Sequence, residues 1–162
     1  MKPIPDSAID AVLDELDDYE EDRYAETADA FAQAQPYVFA YLTHEENFHL
    51  LTEEERGYVE YLSLVVWMTI TRVHGSIPVV DVERIGQAEE RNYELLETAP
   101  AHRFEERLET FFDHTDQPAL LRFAIEAVTE DDEEEENLVI TPEGRETVFV
   151  AVKTVIDVLT QS

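Results

Sequence analysis

The chain has no cysteine, only two lysines, four glycines and four serines in 162 residues. The missing cysteine excludes disulfides, thiolate catalysis and Cys-based zinc or iron–sulfur sites. The glycines (Gly57, Gly75, Gly86, Gly144) are scattered and supply no phosphate-cradling loop. None of Ser7, Ser63, Ser76 or Ser162 sits in a Gly-x-Ser-x-Gly elbow, so nucleophilic catalysis finds no support. The uncharged apolar run Tyr61 to Thr71 is far too short to span a bilayer. Met1 to Asp10 has one Lys and no apolar stretch of the kind that marks a secretory signal. A soluble, cytoplasmic protein is expected.

What the chain does have is acid. It carries 39 Asp and Glu against 11 Lys and Arg, a net charge of -28. Self-repulsion on that scale has to be screened for the chain to stay compact. Residues 1–81 hold 18 acids and 4 bases, and residues 82–162 hold 21 and 7, so each half nets -14. An acidic patch with one task would be lopsided. An even spread with scarce Lys resembles the surface habit of proteins from salt-loaded cytoplasm, where a short Debye length removes the repulsion. Apolar residues still make up 44% of the chain, enough for a core in one domain of this length.

The apolar spacing predicts helices throughout. Ile9, Val12, Leu13, Leu16 and Tyr19 follow the i, i+3, i+4, i+7 pattern, and the stripe runs on through Tyr24, Ala28 and Phe31 to Gln35-Pro36. Pro36 suits the first turn of a short helix holding Val38, Phe39 and Tyr41. Thr52-Glu53-Glu54-Glu55 is a capping box ahead of a helix over about 53–74, apolar on nearly every side and therefore central. His74-Gly75 is its stop, with His74 placed to cap the helix and complement its dipole. Amphipathic segments follow over about 81–97 and 102–113, then a helix opened by Gln117-Pro118. The seven carboxylates of Glu130 to Glu136 form a solvated loop that gathers diffuse cations without the ligand pattern of an EF-hand. Thr141-Pro142 starts a last, nearly all-apolar helix, supported by the Lys153–Asp157 i, i+4 pair. The expected fold is all-α: a single-domain helical bundle of about six to seven helices.

The two halves repeat one order. Gln35-Pro36, a short helix, an acidic connection and Thr52-x-Glu54-x-Arg56 are matched by Gln117-Pro118, a short helix, an acidic connection and Thr141-x-Glu143-x-Arg145. Val59 and Val66 then answer to Val148 and Val155. These anchors suggest an internal duplication of residues 7–75 and 81–160, with two apolar helices near a central pseudo-twofold axis. Arg56 and Arg145 are then equivalent, each available to a carboxylate of its own half.

No motif completes a catalytic or metal site. His44-Glu45-x-x-x-His49 places its histidines five apart, where a zinc-protease helix needs four. Glu46-x-x-His49 is half of a di-iron motif, and none of His74, His102 and His114 follows a Glu by three residues. Glu105-Glu106-x-x-Glu109 matches the first half of the magnesium site of all-α nucleotide pyrophosphohydrolases and lacks the Glu-x-x-Asp second half. The aromatic set Tyr37, Phe39, Tyr41 and Phe48, with Val38, reads as packing for a short helix or as a partner-docking surface. Dispersed single arginines argue against direct nucleic-acid binding. No catalytic, cofactor-binding or metal residue is assigned, and no cofactor is expected. The leading reading is a non-catalytic protein-interaction or adaptor protein, or homo-oligomer, with a halophile-type acidic surface. The alternatives are a carboxylate- and magnesium-dependent hydrolase of a phosphorylated small molecule, and an acidic mimic of nucleic acid.

The charge makes a direct demand on stability. Circular dichroism melts between about 0.1 M and about 3 M KCl, over which the screening length falls from about 10 Å to below about 3 Å, are expected to rise steeply in midpoint. A salt-independent midpoint would show that the carboxylates do not repel one another in the folded chain.

Overall fold

The computed structural model describes residues 1–129 and 140–161, and it is all-helical among them. The acidic run Glu130–Glu136 lies outside the described residues. Eight α-helices are described: α1 (Asp6–Asp17), α2 (Glu21–Ala34), α3 (Pro36–Thr43), α4 (Glu53–His74), α5 (Val82–Thr98), α6 (Phe104–Glu109), α7 (Pro118–Thr129) and α8 (Arg145–Thr160). Short 3₁₀ turns occupy Glu45–Asn47 and Thr110–His114. No helix described is long and apolar enough to cross a membrane.

One helix more than expected arises near the start, where the stripe from Ile9 to Phe31 is broken into α1 and α2. Asp17 and Asp18 at the end of α1 oppose the helix dipole, whereas Glu21 and Asp22 suit a new N-terminus. The Asp18 amide closes α1 on the carbonyl of Glu15 and the Tyr19 amide on that of Leu16, and Arg23 lies 4.4 Å over the Tyr19 ring across the break.

The two all-round apolar helices, α4 and α8, pack against each other at the centre. In α8 the buried set runs from Val148 to Thr160 with only Asp157 partly open, as an unbroken apolar circumference requires. The remaining helices pack around this pair in a repeating way. α1 lies on α4 and α5 lies on α8; α3 touches α4 and α5, and α7 touches α8 and α1.

Two buried glutamines fasten the outer segments. Gln35 accepts a hydrogen bond from the Val80 amide at 3.0 Å and donates to the carbonyls of Ile77 (3.3 Å) and Pro78 (3.0 Å). Gln117 accepts from the Ile4 amide at 2.8 Å and donates to the carbonyls of Met1 (3.4 Å) and Lys2 (3.1 Å). Each glutamine thus clamps the extended segment ahead of the other half's first helix. The two clamps match atom for atom, with Ile4 answering to Val80 and Lys2 to Pro78. His74 belongs to this joinery and is no simple cap, because its Nε2 bonds the Lys2 carbonyl at 3.0 Å.

The starts of α4 and α8 meet at one carboxylate. Glu55 closes the expected capping box, accepting from the Thr52 amide at 2.9 Å while its own amide donates to Thr52 Oγ1 at 3.1 Å. Its second oxygen accepts from the amide (2.9 Å) and hydroxyl (3.0 Å) of Thr141. Thr141-Pro142 therefore does not begin the last helix. Thr141 is held by Glu55 and receives the Gly144 amide on its hydroxyl at 3.1 Å, so α8 starts only at Arg145. Gly144 stands where the second half would have its counterpart of Glu55, and a Cβ there would overlap the Glu55 carboxylate.

Burial raises the Glu55 pKa, but the hydrogen bonds from Thr52 and Thr141 outweigh it and hold the group below its ordinary 4.5. A depressed folded value means that its stabilisation is present above the unfolded pKa and is lost as pH falls through the folded one. Glu55→Ala is expected to cost on the order of 3 kcal/mol at neutral pH and to flatten the acid limb of a urea-melt series. Gly144→Ala is expected to destabilise by about 1–3 kcal/mol through overpacking. Wild-type stability in either variant would remove Glu55 from the centre of the fold.

Candidate functional site

The corresponding positions of α4 and α8 differ in polarity where α8 faces α5. In the first half, where α1 lies on α4, Leu16, Leu64, Val65 and Met68 are all buried. The matching positions in the second half are Asn92, Lys153, Thr154 and Asp157. Lys153 is buried, at 4% exposure, and its Nζ lies 2.5 Å from Asp157 Oδ1. Asn92 Nδ2 donates to Asp157 Oδ2 at 3.0 Å and to Thr154 Oγ1 at 3.2 Å. The Lys153 ammonium lies 5.9 Å from the centre of the Phe111 ring. Thus a hydrogen-bonded polar set replaces a patch of core.

Asn92, Lys153 and Asp157 of this set form one wall of a cleft of about 350 Å³ between α5, α8 and the 3₁₀ turn before α7. Arg91 and His114 add nitrogen at its rim, Glu94 adds a carboxylate, and Leu95 supplies apolar surface. The sequence offered the Lys153–Asp157 spacing only as helix support. That α5 would lay Asn92 and Arg91 beside it depends on helix packing, which local spacing does not encode.

A groove at the matching place in the first half is lined by Tyr19, Arg23, Trp67, Met68 and Arg72, among others. Tyr19, Met68 and Arg72 there correspond to Leu95, Asp157 and Gln161 in the cleft. Its polar groups pair at the rim: Glu15 forms an ion pair with Arg72 and accepts the Tyr19 hydroxyl at 2.6 Å.

The motif residues are spread elsewhere. His44 Nδ1 accepts from the Glu46 amide and caps the 3₁₀ turn, while His49 Nδ1 bonds the Glu46 carbonyl, so both are engaged by local backbone. Glu105, Glu106 and Glu109 are exposed on α6, and Glu105 pairs with Arg145 at 3.6 Å. Arg56 pairs with Glu45 at 4.0 Å, so each of the two matched arginines finds a carboxylate in its own half. Among the described residues no group of three or more His, Asp or Glu is placed to hold a metal ion.

No protein-family model, no curated protein and no solved structure matches this chain.

The aromatic set around α3 divides cleanly. Val38 and Phe48 are buried, Phe39 stacks edge-on to Phe31 at 5.8 Å, and Tyr41 packs on Phe48 at 5.3 Å. Tyr41 also donates to Glu89 of α5 at 2.5 Å, and burial with the adjacent carboxylate raises its phenol pKa. Only Tyr37 of this set is left exposed. Tyr37 follows Gln35 by two residues, and the segment that Gln35 clamps carries Val79 and leads to Val82, which are 55% and 65% exposed. At the other clamp the position matching Val82 is Asp6, which is paired with Arg122 at 3.1 Å. One joint therefore carries an exposed ion pair at this position and the other an exposed apolar side chain.

Hydrogen bonds from Arg72 and Tyr19 hold Glu15 at about 2, against an ordinary 4.5. A carbon-detected NMR titration is expected to place the Glu15 midpoint near that value, and Arg72→Gln to return it toward the usual carboxylate range. A midpoint that stays low in Arg72→Gln would assign the shift to Tyr19.

Proposed function

We propose that this is a non-catalytic protein-interaction or adaptor protein with a halophile-type acidic surface, built on an internal duplication. The two matched glutamine clamps, the repeated packing of outer helices on α4 and α8, and the Arg56 and Arg145 pairings support the duplication, with repeats at 7–75 and 81–160. The clamped segments before α1 and α5 extend each repeat at its start. The even share of -14 in each half supports the environmental reading of the acidity.

The observation that carries the interaction reading is the apolar joint. Among the described residues, Tyr37, Val79 and Val82 are three of seven large apolar side chains left exposed, and all three border one clamp. Leaving such side chains in water forgoes roughly 25 cal/mol per Å² of apolar area. The other clamp shows that the joint closes without them. Asp81 and Glu83 stand beside Val82 and would meet basic side chains. The partner is therefore a protein with an apolar strip edged by Lys or Arg.

Tyr37→Asp/Val82→Asp is expected to keep the wild-type melting point and to lose a protein that the immobilised wild type retains at high KCl. Light scattering of both forms separates a second copy of this chain from a different partner. Equal retention by variant and wild type would place docking elsewhere.

A further inference from the structure

We infer that the cleft between α5 and α8 is a binding site for a small organic monocarboxylate, held by Lys153 with Arg91 at the rim. Burying an ion pair between helices is commonly no more stable than filling the space with apolar side chains. This chain contains the comparison within itself. At the matching positions of the first half, Leu16, Leu64, Val65 and Met68 are buried as core, and the groove beside them has no buried charge in its wall. The second half instead commits one of only two lysines to a buried position, with Asp157, Asn92 and Thr154 arranged around it. Packing alone does not require that exchange.

The donors give the ligand its chemistry. An ammonium carries three N–H donors. Asp157 takes one, Phe111 offers only a ring face, and among the described residues no other acceptor is hydrogen-bonded to Lys153. Both Asp157 oxygens are engaged, by Lys153 and by Asn92. The cleft wall therefore presents spare donors beside a satisfied carboxylate. An incoming oxyanion meets Lys153 and Arg91, and it also meets the negative charge of Asp157 and Glu94. That balance tolerates one negative charge better than two, which favours a carboxylate over a phosphate dianion. Leu95 gives the ligand's carbon skeleton an apolar surface, and a volume of about 350 Å³ suits a small molecule.

The test uses the full chain, isotope-labelled, titrated separately with sodium butyrate and inorganic phosphate at constant ionic strength. Butyrate is expected to shift the amides of Asn92, Lys153 and Asp157 at millimolar concentration, with phosphate weaker. Lys153→Leu/Asp157→Met, which rebuilds the first half's side chains, is expected to melt at or above the wild-type temperature and to weaken butyrate binding by at least about tenfold. Arg91→Gln, at an exposed position, is expected to weaken binding severalfold with the melt unchanged. A large fall in melting temperature for the double variant would make the ion pair structural and overturn the inference. So would equal binding by wild type and double variant, tighter binding of phosphate than butyrate, or no butyrate shift at all.

Discussion

The Glu55 carboxylate is the interaction on which the rest depends. It is fully buried where the two central helices begin, and it satisfies donors at both starts. Helix N-termini leave four amides without intrahelical partners, and a shared buried start would leave several of them orphaned. A single carboxylate with two oxygens can serve both sides. Two could not, because a second charge in the same space would repel the first and fill its volume. Gly144 is the structural answer: the second half gives up its side chain so that the first half's Glu can cross over. Two halves with matching glutamine clamps thus meet at an asymmetric centre.

The periphery is fixed by the same economy of few polar groups. Gln35 and Gln117 each use carbonyl and amide to pin an extended segment that no helix or sheet would hold. An unpaired amide buried there would cost several times what a formed hydrogen bond contributes, so the two glutamines also fix register. With the segments pinned, α1 and α5 are set down on α4 and α8 in the same manner. What differs between the halves then stands out against a common frame. The apolar Val79–Val82 joint faces a counterpart closed by Asp6 and Arg122, and the Lys153–Asp157 wall faces a counterpart made of Leu and Met.

Charge acts on another scale. Most carboxylates of the described residues are exposed, and the few buried ionic groups among those residues, Glu55 and the Lys153–Asp157 pair, are held by hydrogen bonds. Surface repulsion is long-ranged and yields to salt, whereas these contacts are short and desolvated and do not. The surface charge and the chemistry of the clefts are therefore separable properties.

The sequence by itself determined the all-α class, the central place of 53–74 and the last helix, the Thr52 capping box and the repeated Gln-Pro and Thr-x-Glu-x-Arg anchors. All of these are local: periodicity, caps and spacing act within a few residues of the chain. It did not determine the break between α1 and α2, where adverse dipole charge outweighed a continuing apolar stripe. Nor did it show that Glu55 would close its own capping box with one oxygen and hold Thr141 with the other, that Gln35 and Gln117 would each clamp the other half's leading segment, or that Asn92 would lie against Asp157. Only the tertiary structure decided these, because each joins residues dozens of positions apart whose meeting depends on how whole helices pack. The candidate cleft was invisible for that reason: its parts are ordinary side chains until α5 is laid on α8.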